Sequence, residues 1–368
     1  MRLSSAWLLA VVLGYGFLAA PAAQAPQTKS AALEPWPDAK VIADRRKSAE
    51  NRELFRTAEP LAFTLIANFR SVNSERDPKS TKTFPATLEF TKEDGTKGSI
   101  SLQIRGRGHA RRQICSFLPI RLELPKEQTR GTVFDGHGAL KLVTHCRNGT
   151  EEYVLREYAA YQIYNLLTPR SFRARLAQVT YVDTSSKKAL PVKHGMFIED
   201  DDDVAKRLNG RIIELEKATF VRVDMETVTL LSIFEYMIGN TDMSLFLQHN
   251  IRLVQTVDGL RYPVPYDFDY AGLVDTGYAV PGPHLGIASV RDRLYRGPCR
   301  TATELAPFFD RMRAIRAEVE DLFKTMPGFS NSYRKNALSY LTEFYRTIDR
   351  PNDVKRAFID GCNGRPYM

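Results

Sequence analysis

Four oxygen-bearing side chains, Asp242, Asn250, Asp267 and Asp269, are the residues of this chain whose types and order could do chemistry together. Asp242 lies in IGNTDMSLFLQHN (238–250), where an apolar helix gives way to Asn240, Asp242, His249 and Asn250. Burying a lone carboxylate costs roughly several kcal/mol, so Asp242 must be solvated, hydrogen-bonded or at work. Taken alone, it reads equally as a cap or a solvated turn. Further on, YPVPYDFDYAGLV (262–274) supplies Asp267 and Asp269. Carboxylates brought together repel at neutral pH unless a cation lies between them, and hard oxygen donors select Mg²⁺ or Mn²⁺ over zinc. His249 is read as a structural hydrogen-bonder.

Phosphoryl transfer from ATP needs few groups, in a set order: a strand lysine at the phosphates, a helix glutamate holding it, an aspartate orienting the attacking hydroxyl, then metal ligands. The chain offers each in turn. Lys141 lies in GALKLVTH, Glu157 in the helix that follows, then come Asp242, Asn250 and Asp267. Gly106 and Gly108 in IRGRGHARR are placed to form a phosphate-covering turn. Glu199, beside Ile198 at the front of the acidic run 199–203, stands where backbone groups would meet adenine, and the remainder of the run reads as solvated charge.

The elements that must hold these groups follow from periodicity. From Leu61 the chain is a series of short β-forming runs, and Asp94-Gly95 between two alternating segments of LEFTKEDGTKGSISLQI is a hairpin signal. One helix interrupts them, TEEYVLREYAAYQIYNLLTP, with Glu151 and Glu152 in its first turn and Pro169 beyond its end. After Asp203 the composition turns helical. Val228, Leu231, Phe234 and Ile238 mark a helix over 224–239, a strand pair is expected at 250–266, and two further helical stretches follow from Thr303 and Ser332. The expected organisation is a linker or approach segment (26–58), a mostly antiparallel β-rich lobe (59–203) and a helical lobe (204–368). The expected fold class is α+β, two-lobed, in the order of a protein kinase.

ALKLVTHC, YVLREYAAYQIYNLL, FEYMIGNTDMS, HNIRLV and YPVPYDFDYAGLV together resemble the CotH (spore-coat protein H) kinase family and, more distantly, the HipA-like kinases. The resemblance spans roughly residues 100 to 275 and is most specific over 236–274. It implies a protein-kinase-like fold, ATP, and Mg²⁺ or Mn²⁺. Carried over, it makes Asp242 the catalytic aspartate, Asn250 and Asp267 the metal ligands with Asp269 a second metal contact, Lys141 the nucleotide lysine and Glu157 its partner.

Bulk properties bound the setting. Arg2, the apolar run Ala6–Ala20 and APAAQA read as a secretory signal peptide over 1–25, shorter than the ~20 apolar residues of a spanning helix. No later stretch reads as transmembrane, so the expected location is secreted or periplasmic. An exported chain with four cysteines favours two disulfides, with Cys115–Cys146 and Cys299–Cys362 the expected pairing. The formal charge is +9, and basic residues crowd 105–130, either as a solvated face or as a phosphate site. Export and the lack of a binding motif argue against nucleic acid. Arg291, Arg293 and Arg296 either hold a phosphate or tie the fold through ion pairs. The expected partner is a protein substrate, the chain itself included. Competing readings are an inactive kinase-like envelope protein and a metal-dependent phosphohydrolase.

Overall fold

Strict alternation along the β strands sorts their side chains into two sets. In strand β2 (Phe84–Thr91) and strand β3 (Lys97–Gly106) every second residue is buried, which is the signature of a sheet with one dry face. The computed structural model describes residues 34–186 and 188–362, and in it that dry face curls on itself.

In chain order, helix α1 (Ala39–Glu50) precedes strand β1 (Leu61–Ala67), helix α2 (Phe69–Ser74) and the β2–β3 hairpin. Helix α3 (Ala110–Ile114), strand β4 (Ile120–Glu123), helix α4 (Lys126–Thr129) and strand β5 (Ala139–Val143) follow, then helix α5 (Glu152–Leu167). Strands β6 (Ala174–Asp183), β7 (Lys188–Ala189) and β8 (Lys193–Ile198) complete the large sheet. Neighbours run β1-β2-β3-β4-β5-β8-β6, and β6 returns to pair with β1 in parallel, Leu61 opposite Ala177 through Ala67 opposite Asp183. The ring is a closed seven-stranded mixed barrel, with β7 appended to β6. Leu65, Leu88, Ile100, Leu122, Leu142, Val179 and Phe197 fill its interior. Closure leaves no open sheet edge between β1 and β6.

This corrects the expected architecture. The α+β class holds, but the two-lobed kinase-like fold with an antiparallel β lobe does not form. Alternation reads the same for an open lobe and a barrel. What separates them is the parallel β1–β6 pair, whose partners lie more than a hundred residues apart and leave no local mark.

Outside the barrel, Val143, Leu176, Met196 and Ile198 face a second core built with α5 and the later helices. Helix α6 (Asp201–Arg207) runs across residue 203 and leads into strand β9 (Gly210–Ile213). Helix α7 (Met225–Ile238) follows, buried at every position from Thr227 to Ile238. The expected strand pair is present as β10 (Ile251–Thr256) and β11 (Arg261–Pro265), with β9 as a third strand beside β10. Helices α8 (Ala302–Ala314), α9 (Arg316–Thr325) and α10 (Asn331–Ile348) close the layer. Residues Asp38–Met368 cluster as one unit, and the segment read as an approach contains α1.

Sulfurs of Cys115 with Cys146 and of Cys299 with Cys362 lie at bonding distance, the pairing expected. No helix among the described residues is long and apolar enough to cross a membrane. The segment read as a signal peptide, 1–25, lies outside the described residues.

Candidate active site

Helix α7 is anchored at both ends, and its exit carries the first site residue. The Asp224 side chain caps its start by accepting from the Thr227 N–H at 2.8 Å. Gly239 ends it in the left-handed region, φ 67°, where a Cβ would run into the Tyr340 hydroxyl. The Asp242 N–H then donates to Asn240 Oδ1 at 3.1 Å, and Asn250 Nδ2 donates to the Asp242 carbonyl at 2.7 Å and to its carboxylate at 3.1 Å. A bridge between Ser244 and His249 folds the intervening residues out of the way, which returns Asn250 to Asp242. His249 Nε2 lies 3.4 Å from the other Asp242 oxygen, and that hydrogen bond is the main reason its pKa rises above the ordinary value.

The second turn is stitched onto the first. The N–H groups of Gly272 and Leu273 donate to the carbonyls of Gly239 and Ile238 at 3.0 and 2.9 Å, and the Tyr266 N–H donates to the Asn250 carbonyl at 3.0 Å. These bonds hold the segment bearing Asp267 and Asp269 against the exit of α7. Asp267 and Asn250 both adopt the left-handed backbone, φ 65° and 57°, a strained state for non-glycine residues that persists where surroundings over-determine it. The Asp267 N–H donates to Tyr161 Oη on α5 at 2.9 Å.

One turn before Tyr161 on the same helix, Glu157 is buried, 1 % exposed, with no hydrogen-bond partner for Oε1. Arg111 lies between it and Asp269, Nη1 at 3.6 Å from Glu157 and Nε at 3.8 Å from Asp269. Tyr278 Oη donates to Asp269 at 3.0 Å. Burial pushes Glu157 well above the usual carboxylate range, with Arg111 opposing and Asp269 and Asp267 adding. Burial, then the Asp267 charge, raises Asp269 as well. Burial lowers Arg107, against the pull of Asp267. Burial and neighbouring carboxylates thus favour the protonated forms of Glu157 and Asp269, and a cation placed among these carboxyls would take the place of those protons.

The residues fit a hard cation on two grounds: the orphaned Glu157 oxygen and the donor set of carboxylates with one amide. Among the described residues no three His, Cys, Asp or Glu are grouped to hold a metal by themselves. Mg²⁺ does not need such a cage, because it is held by one or two carboxylates plus substrate phosphates and water.

Four expected site residues, Lys141, Glu199, Gly106 and Gly108, are placed otherwise. Lys141 does not meet Glu157. On the outer face of β5 its ammonium pairs with Asp201, which Arg252 also binds at 2.7 Å, and lies over the Phe172 and Tyr266 rings. Helix α5 packs on β6 and β8, so Glu157 is taken by Arg111 instead. Glu199 is fully buried, clamped by Arg173 and Arg207, and its N–H donates to the Arg173 carbonyl at 2.9 Å, leaving that group no bond for adenine. Gly106 lies within the β3–β4 ladder, where Leu118 would sit 2.9 Å from a Cβ, and Gly108 turns at φ 82° into α3. The glycine turn thus delivers Arg107 and Arg111 to the carboxylates. Those arginines belong to the basic cluster read as face or phosphate site. Their four-residue spacing across the glycine turn was the available signal. Tyr161 and Tyr278 left no such signal. Of the later arginines, Arg293 donates to the Met237 and Tyr340 carbonyls and Arg296 to the Thr241 carbonyl, ties that hold the exit of α7.

Comparison of the chain with protein-family models and with curated proteins returns no match.

Proposed function

We propose that this protein is a metal-dependent phosphotransferase of the CotH-like kind, acting outside the cytoplasm and moving the γ-phosphoryl group of ATP to a protein hydroxyl. The observation that supports this reading best is the stitching of two loops that holds the Asp242–Asn250 pair against the segment of Asp267 and Asp269, with Asp269 meeting the Arg111 that also pairs with Glu157.

Asp267, Asn250 and Asp269 would hold Mg²⁺ or Mn²⁺, which supplies charge neutralisation at the phosphate oxygens. Asp242, kept in one orientation by Asn250 and His249, accepts the proton of the acceptor hydroxyl. That oxygen forms a bond to the γ-phosphorus while the bond from phosphorus to the β–γ bridging oxygen breaks, and ADP leaves. Arg107 and Arg111 offset negative charge on the barrel side of the site.

The test is radiolabelled ATP with Mn²⁺ and purified protein beside Asp242→Asn, together with calorimetric titration of ATP and Mn²⁺ into wild type and Asp267→Ala. Label in wild type, at least about a hundredfold less in Asp242→Asn, and loss of binding heat in Asp267→Ala are expected. Equal labelling of the two proteins removes Asp242 from catalysis. Free phosphate without labelled protein indicates a hydrolase, and no heat at all indicates a scaffold.

A further inference from the structure

Beside Asp242 a cavity of about 170 Å³ opens between the α7 exit and the segment 280–290. Met243, Leu247, Tyr270, Val280, Leu285 and Val290 line it with apolar surface, and Asp242 and His249 line it together with Thr241, Ser244, His284 and Arg296. The Asp242 side chain keeps 39 % of its surface exposed, so its carboxylate is reachable from the cavity. Gly286 turns the chain at φ 67° directly after the Pro283–Leu285 turn.

Volume decides what the cavity can take. Sites for drug-sized ligands run about 300–1,000 Å³, so a nucleotide does not fit here. An apolar cavity of about 150 Å³ accepts a benzene ring. A serine or threonine hydroxyl brought to Asp242 would leave most of the apolar wall facing water, whereas a phenol fills the slot with its ring and presents its one hydroxyl to the carboxylate. Tyr270 adds an aromatic face for that ring to pack against.

We infer that this cavity is the acceptor subsite and that the acceptor is the phenolic side chain of a protein tyrosine. The inference rests on the phosphotransferase reading. The phenolic proton passes to Asp242, the phenolic oxygen bonds to the γ-phosphorus of ATP, and ADP departs with the bridging oxygen.

Two measurements on the full chain separate the inference from that reading. Saturation-transfer NMR without nucleotide compares p-cresol with n-butanol. Binding of p-cresol alone is expected, weakened about tenfold or more by Leu285→Trp, which fills the slot, and by Val280→Trp at its exposed rim. Labelled ATP with Mn²⁺ is then offered to three peptides identical except for one Tyr, Ser or Thr, and label on the tyrosine peptide alone is expected. Failure of wild type to bind p-cresol, equal binding of n-butanol, or label on serine or threonine overturns the inference and leaves the phosphotransferase reading standing. Binding of p-cresol with no peptide labelled supports the cavity's preference for a phenol and counts against phosphoryl transfer.

Discussion

Glu235 is a carboxyl buried at the α7 exit. It is 4 % exposed, one helical turn before Gly239, with the Asn240 amide beside it. Burial pushes its pKa from 4.5 up to about 8, with Asn240 and Arg296 opposing and the Asp242 charge adding. A carboxyl raised on folding binds its proton more tightly in the native state. Its contribution is full below the unfolded value of 4.5 and is lost as pH rises through about 8. Glu235→Gln is therefore expected to flatten the loss of stability between about pH 5 and about pH 8, each tenfold gain in proton affinity on folding corresponding to about 1.4 kcal/mol. Urea midpoints of the two proteins at both pH values check this, and parallel pH dependences would refute it. At the same scale, the types and order of Asp242, Asn250, Asp267 and Asp269 were legible in the sequence because they cluster in two short loops. Their counter-charge was not: Lys141 looked the natural candidate by strand position, and Arg111 holds that place because α5 lies over β6 and β8.

Helix α3 matters through what it carries. It presents Arg111, and the Cys115–Cys146 pair ties its end to the segment between β5 and α5, the helix that bears Glu157. A cross-link here stabilises by restricting the unfolded chain and also holds the two partners of an ion pair in register. The double variant Cys115→Ser, Cys146→Ser should lose about 2–4 kcal/mol of stability and show weaker ATP–Mn²⁺ heats at a temperature where it is still folded. Unchanged nucleotide heats would separate the disulfide from the site. Helix α7 was legible almost to the residue, expected over 224–239 and found at Met225–Ile238, because its apolar positions and its Asp and Gly boundaries are local signals. Helix α1 was not, since its residues are mostly polar and exposed and only Ala49 is buried.

For the molecule as a whole, the barrel interior is the separate core that an open lobe would lack. Phe197 lies in it against Phe63 with ring centroids 5.5 Å apart, joining β8 to β1 across the closure. Phe197→Ala should cost about 3–5 kcal/mol, as removal of a fully buried aromatic ring does, and thermal unfolding would report it. A cost under about 1 kcal/mol would mean the interior is not packed as described. Closure also fixes the outer faces of β5, β6 and β8, and through them the seats of α5 and Lys141.

Periodicity by itself determined the alternating strands, the long buried helix and the loops that carry the acidic residues, because those patterns are written within a few residues of one another. The cysteine count pointed to two disulfides and left three pairings possible, of which the expected one, Cys115–Cys146 and Cys299–Cys362, is the one found. Only the tertiary structure decided that β1 meets β6, that Arg111 rather than Lys141 faces Glu157, and that Glu199 is a buried clamp. Each of these is a choice among partners far apart along the chain, and a strand or helix keeps the same local pattern whichever partner packing selects.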